Sequence, residues 1–203
     1  CDTLLGKDEL FLYDTLRFKG EILNALERYD EAKAVYQRVL DNATVPWARM
    51  GLAIALRGQD QLGEAEMIAD ELITDFPEYL AAYDFVASVR EEQGRLAEAQ
   101  NLLQQAADIS PNNSLRQRLV GEVAARNEDL DAAERAYGKV LERHRGSSLK
   151  VIDDYTNLTR VMLDRGNVAG ARLVTQNLRR DWRGAATMVA GTVGAVAVAI
   201  AEV

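Results

Sequence analysis

Residues 62–77 read LGEAEMIADELITDFP, and residues 96–111 read LAEAQNLLQQAADISP, 34 residues further along the chain. Leu62 answers to Leu96, Glu64 to Glu98, Ala65 to Ala99 and Pro77 to Pro111. A fixed period of this length, with leucine, alanine and proline at constant offsets, marks a repeated supersecondary unit. One such unit is a pair of helices that cannot bury its apolar face alone, so neighbouring units must stack.

On either side of these stretches, the small residue at the centre of the unit falls at Ala32, Ala65, Ala99, Ala133 and Ala171. Its steps are 33, 34, 34 and 38 residues. A side chain larger than alanine there would push two crossing helices apart. A second small position twelve residues earlier reads Gly20, Ala53, Ala87 and Gly121 and then breaks at Thr159. Leu23, Tyr36, Leu56, Leu72, Leu103, Tyr137 and Leu178 are expected to fill the layer between helices.

The expected repeats span about 13–45, 46–79, 80–113, 114–148 and 152–182, within a single domain over 1–203. The fifth is the most degenerate. Residues 1–12 read as the end of a preceding helix and a turn at Gly6-Lys7, and Asp30 is a candidate N-cap for the second helix. The 38-residue step points to an inserted loop in RHRGSSLKVIDDY (143–155). Asp153 can start the helix that follows it. The uncharged stretch from Gly184 to Ala201 reads as an apolar capping helix over 185–201, too rich in Ala and Gly to favour a membrane. It also makes self-association plausible.

Composition limits the function. The chain carries 24 Lys+Arg against 32 Asp+Glu, a net charge of -8. That balance disfavours nucleic acid and anionic lipid surfaces, both of which ask for a basic face. One Cys and one His, His144, cannot build a zinc site, and no glycine-rich phosphate loop follows a strand. His144 reads as a surface residue near a helix end. The acidic pairs Glu91-Glu92 and Asp153-Asp154 read as solvated helix residues. No cofactor, no metal and no enzymatic activity are expected.

A stacked array of helix pairs offers instead the ridge of its first (A) helices. Unit one contributes Asp14, Arg17, Glu21 and Asn24, and unit two Trp47, Met50, Ile54 and Arg57. Unit three contributes Asp84, Ser88, Glu91 and Glu92, and unit four Arg118, Glu122 and Arg126. Unit five adds Asp153, Thr156 and Arg160. Trp47, Met50 and Ile54 would be apolar residues on a water-facing ridge, a mark of a partner contact. For Trp47, directly after Pro46, packing at the start of the hairpin is the competing role.

The repeat pattern resembles the tetratricopeptide family over about 13–180. That resemblance implies an all-α fold, a right-handed superhelical solenoid of about five antiparallel helix pairs, and the role of a scaffold for protein or peptide partners. One mode of that family clamps a C-terminal carboxylate with Lys and Asn on A helices. The matching positions here are Arg17 and Glu21, and an acidic residue would repel a carboxylate.

More narrowly, CDTLL (1–5), LRFKGEIL (16–23), VPWARMGLAIAL (45–56), PEYLAAYDFVA (77–87) and SLRQRLVGEVAARNEDLDAAERAY (114–137) resemble the output region of bacterial response regulators. In those proteins a phospho-accepting receiver precedes the repeats. The resemblance implies a cytoplasmic module of two-component phosphorelay signalling. Cys1 at the start also resembles the lipidated cysteine of an envelope lipoprotein, which is the alternative.

Overall fold

A computed structural model describes residues 7–144 and 152–181. Cys1, the 145–151 part of the expected insertion and the apolar stretch 184–203 with its expected capping helix lie outside these residues. All regular structure among the described residues is helical. The helices are α1 (Lys7–Ala25), α2 (Tyr29–Leu40), α3 (Pro46–Gly58), α4 (Leu62–Asp75) and α5 (Leu80–Glu92). They continue with α6 (Leu96–Ile109), α7 (Ser114–Arg126), α8 (Leu130–Arg143), α9 (Ile152–Asp164) and α10 (Val168–Asp181).

Two compact units divide the chain, Cys1–Gln93 and Gly94–Val203, where the sequence suggests one domain. In the first, α1 packs on α2, α2 on α3, α3 on α4 and α4 on α5, and α1 also touches α3. In the second the same neighbour-to-neighbour order runs from α6 to α10.

The tight turns inside the hairpins share one device. At the same register in every repeat the backbone enters the left-handed region, at Glu27, Asp60, Gly94, Glu128 and Gly166. After α1, the Arg28 N–H reaches back to the Leu23 carbonyl at 2.9 Å and the Glu27 N–H to that of Asn24 at 3.0 Å. The same pair of bonds closes α3, α7 and α9. These are Schellman ends, which satisfy helix carbonyls that would otherwise lack a donor.

Packing follows the small residues. Ala32, Ala65, Ala99, Ala133 and Ala171 are all fully buried. The expected layer residues, from Leu23 to Leu178, are buried as well. The Tyr36 ring of α2 lies between two glycines, Gly20 of α1 and Gly51 of α3, and a Cβ on either would run into it. Gly121 makes the same room for Tyr137. Thr159 does not break this scheme. It is buried, bonds back to the Tyr155 carbonyl at 2.7 Å, and the residue at the tyrosine position of its repeat is the small, buried Thr175.

A polar stitch joins successive repeats in each unit. The residue at the C-terminal end of an A helix bonds to the same register position of the preceding B helix. The pairs are Gln59 with Lys33 and Gln93 with Glu66 in the first unit. In the second they are Asn127 with Gln100 and Arg165 with Glu134.

Several expectations are corrected. Helix α1 already begins at Lys7, so residues 7–12 lead into the first repeat rather than ending an earlier helix. Asp30 lies inside α2, whose N-cap position is Arg28, and it accepts a hydrogen bond from Gln59 at 2.8 Å instead. Residues 152–181 form a regular hairpin with its own left-handed turn at Gly166, so the fifth repeat is complete. His144 is buried, not on the surface. It packs at the end of α8 with Nε2 2.9 Å from the Ser114 hydroxyl of α7.

Candidate functional site

The ridge expected from the sequence is best formed in the first unit. Arg17 and Glu21 stand one turn apart on α1, both exposed, and pair at 3.1 Å. One turn on, the Asn24 amide donates to the Gly51 carbonyl of α3 at 3.0 Å and to the Tyr36 hydroxyl at 3.4 Å. Asn24 is thus half-buried and joins two A helices, a positioning role more than a free contact.

On α3 the ridge residues separate by environment. Trp47 is half-buried and meets the Tyr36 ring edge-on, with centroids 6.4 Å apart at 65°. This is the packing role set against partner contact for Trp47. Met50 is only 7% exposed, so it is not an apolar residue facing water. Helices α1, α2 and α4 all pack on α3, and a flexible thioether suits an irregular interior. Ile54 is exposed, as expected.

Arg57 lies 5.5 Å from the Phe85 ring centroid, donates to the Ser88 hydroxyl at 2.9 Å and pairs with Glu92. Its charge is therefore held in place from two sides, by an aromatic face and by a carboxylate. Ser88 in turn donates to the Phe85 carbonyl at 2.8 Å. Asp84 and Glu91 are half-buried on the same helix, so Glu91 is not the fully solvated residue expected.

In the second unit the ridge is more tightly bound to itself. Arg118 donates through Nε and a terminal nitrogen to the two carboxylate oxygens of Asp154, at 2.5 and 2.7 Å. Asp154 is 1% exposed, which overturns its reading as a solvated acid. The Asp154 carboxylate also holds the Arg118 guanidinium more firmly charged than usual. Arg118 is thus committed within the chain, while Glu122, Arg126, Asp153 and Arg160 are exposed.

Two tyrosines carry the packing layer to the ridge. Burial, with the charge of Glu21 beside it, pushes the Tyr36 hydroxyl up to about 12. Burial and Glu122 do the same at Tyr137, also to about 12, against an opposing influence of Arg160. Tyr79 is shifted upward by burial too, and it feels Arg17 and Glu21 in opposite senses. Sequence periodicity did not single out Tyr79 or Phe85, because neither occupies a ridge register.

Among the described residues no group of three or more His, Cys, Asp or Glu could hold a metal ion. Nor is any helix among them long and apolar enough to cross a membrane.

Residues 18–43 and 80–113 match the family model of the tetratricopeptide repeat. No curated protein matches the chain. Among solved structures, a thermophilic tetratricopeptide protein of Thermus thermophilus is 20% identical, with 91% of this chain and 98% of that one covered at a TM-score of 0.53. MamA from Desulfovibrio magneticus is 14% identical over 82% of this chain and 93% of that chain, at 0.64. YrrB, described as a tetratricopeptide protein with an unusual peptide-binding site, is 17% identical over 84% and 86%, at 0.61. At these identities the likeness is one of fold, and the fold is the all-helical hairpin architecture of tetratricopeptide proteins.

Proposed function

We propose that the chain is a non-catalytic interaction module that holds a peptide or protein partner along its A-helix ridge. The observation that carries this is the first-unit ridge itself. There an exposed Ile54 stands one turn before Arg57 on α3, which Phe85 and Glu92 hold in place, and the neighbouring α1 carries the exposed pair Arg17 and Glu21. An apolar anchor flanked by preorganised charges is the composition of a recognition surface. The second unit adds Glu122, Arg126 and Arg160 as proposed contacts of its own, with Arg118 supporting them through Asp154.

Peptides selected on the purified chain from a random display library test this reading. Their affinity should fall at least tenfold on Ile54→Asp and on Arg57→Glu, with far-ultraviolet circular dichroism unchanged. Peptides that bind both variants as well as the parent would place recognition elsewhere.

The resemblance of the sequence to receiver-linked repeats supports a finer reading, a cytoplasmic output module of a bacterial two-component response regulator. Phosphorylation of an attached receiver would bias which partner-facing state the repeats adopt. The parent gene decides it: no receiver-coding region upstream of these repeats would sink this part of the proposal.

A further inference from the structure

Sixteen residues before each crossing alanine stand Leu16, Arg49, Tyr83, Gln117 and Tyr155. This register reaches toward the end of the following B helix, where Arg49 of α3 pairs with Asp75, the last residue of α4, at 2.6 Å. Leu16, Tyr83 and Tyr155 are large, apolar in body and buried. Gln117 of α7 differs from all of them, being uncharged, polar and shorter than the tyrosines and the arginine. Beside it, at the ends of α6 and α8, lies a cavity of about 430 Å³. That volume falls within the roughly 300–1,000 Å³ of small-ligand pockets. Arg143, which lines it, holds in its repeat the register that Asp75 holds in the second.

The lining says what fits. Ala107, Pro111 and Val140 make its walls apolar, and Ala107 and Val140 are buried. The charged lining residues, Lys139 and Arg143 against Asp108 and Glu142, are all exposed and so stand at the rim. Their signs cancel, and Arg143 is also held by the Pro111 carbonyl at 3.0 Å, so the rim selects neither an anion nor a cation. Gln117 is only 5% exposed, and its Oε1 is buried with no hydrogen-bond partner among the described residues. The Ser114 hydroxyl, also in the lining, is already 2.9 Å from His144 Nε2. A buried acceptor without a donor is costly, and a ligand that brings one neutral O–H removes the cost. Ile109 and Leu115, next in sequence to the lining residues Asp108 and Ser114, are exposed and offer contact for more than one side chain.

We propose that this cavity receives the side chain of a tyrosine from a partner polypeptide, its phenol O–H donating to Gln117 Oε1. The ring supplies there what Tyr83 and Tyr155 supply at the same register from within the chain. Its neutral hydroxyl suits the balanced rim, and residues flanking the tyrosine lie against Ile109 and Leu115. The site uses none of the ridge residues, so it stands apart from the reading given above.

Two probes titrated into the full chain test it by nitrogen-15 NMR: p-cresol, which is the tyrosine side chain as a free molecule, and toluene, which lacks the hydroxyl. p-Cresol should shift the Gln117 side-chain amide and the Val140 backbone amide, and bind about tenfold more tightly than toluene. Gln117→Leu should erase that preference. Gln117→Tyr, which fills the register as Tyr83 and Tyr155 do, should abolish binding of both probes with circular dichroism unchanged. Peptides are then selected by display on the chain carrying Ile54→Asp and Arg57→Glu, so that the ridge takes no part. They should contain a tyrosine, weaken about tenfold when it is replaced by phenylalanine, and be displaced by p-cresol. Equal affinity for the two probes, no shift at Gln117, or binding that survives Gln117→Tyr would overturn the proposal. So would peptides indifferent to their tyrosine, and p-cresol binding with no such peptide recovered would refute a polypeptide partner in favour of a free phenol.

Discussion

Arg118 on α7 meets Asp154 on α9 through two parallel hydrogen bonds, of 2.5 and 2.7 Å, and the carboxylate is almost wholly shut off from water. The two partners are not equivalent, because the Arg118 side chain keeps a quarter of its surface in solvent. Arg118→Ala strands a buried carboxylate and should destabilise the second unit by about 3–5 kcal/mol, whereas Asp154→Ala should cost clearly less because the guanidinium can turn to water. Arg118→Met with Asp154→Leu should recover most of the loss. Urea unfolding of the three variants checks the order, and equal losses in both single variants would contradict it.

Three of the left-handed turn residues are not glycine, namely Glu27, Asp60 and Glu128. A Cβ in that region costs roughly 1 kcal/mol, so Glu27→Gly and Glu128→Gly should each stabilise the chain by about 0.5–1 kcal/mol despite the added freedom of the unfolded state. The measurement is the urea midpoint at constant slope. A lower midpoint would mean that these side chains make contacts worth more than the strain.

Glycines on two helices should respond in opposite directions to alanine. A Cβ at Gly51 would enter the Tyr36 ring, while at Gly63 on α4 it would meet nothing within 4 Å. Gly51→Ala should therefore cost about 1–3 kcal/mol through overpacking. Gly63→Ala should gain roughly 0.5–1 kcal/mol through helix propensity. Thermal melts of the two variants, one moving down and one up, would bear this out.

Tyr36 sets an alkaline limit. Its hydroxyl rises from an ordinary 10.0 to about 12 in the folded chain, chiefly because it is buried and secondarily because Glu21 is near. A raised folded value means the stabilisation is complete below about pH 10 and drains away as pH climbs toward 12. Its full size is at most about 2–3 kcal/mol. Tyr36→Phe should show a smaller loss of stability between about pH 9 and pH 11.5 than the parent, with urea midpoints as the readout. Parallel losses in the two proteins would assign the alkaline sensitivity to other groups.

The hairpin array was legible because its signal is local and repeated. A small residue at each crossing of two helices leaves a periodic trace in the sequence, and Ala32, Ala65, Ala99, Ala133 and Ala171 are buried without exception. The ridge was legible only as a register. Whether a ridge residue reaches water depends on what lies over it, so Ile54 is open while Met50, one turn away, is enclosed. Asp154 shows the same limit: nothing in an Asp-Asp pair tells which carboxylate faces the preceding repeat and which faces solvent.

The amino-acid pattern alone established that the chain is built of helix pairs, where small residues mark their crossings, and which side chains fill the layers between them. These follow from steric periodicity, a property of each repeat taken alone. The folded chain decided which polar side chains are committed to one another, as Gln59 is to Lys33 and Arg118 to Asp154. It also decided that Met50 is enclosed while Ile54, one turn on, reaches water. Both are outcomes of contact between repeats, where partners far apart in the chain compete for the same charge or the same surface.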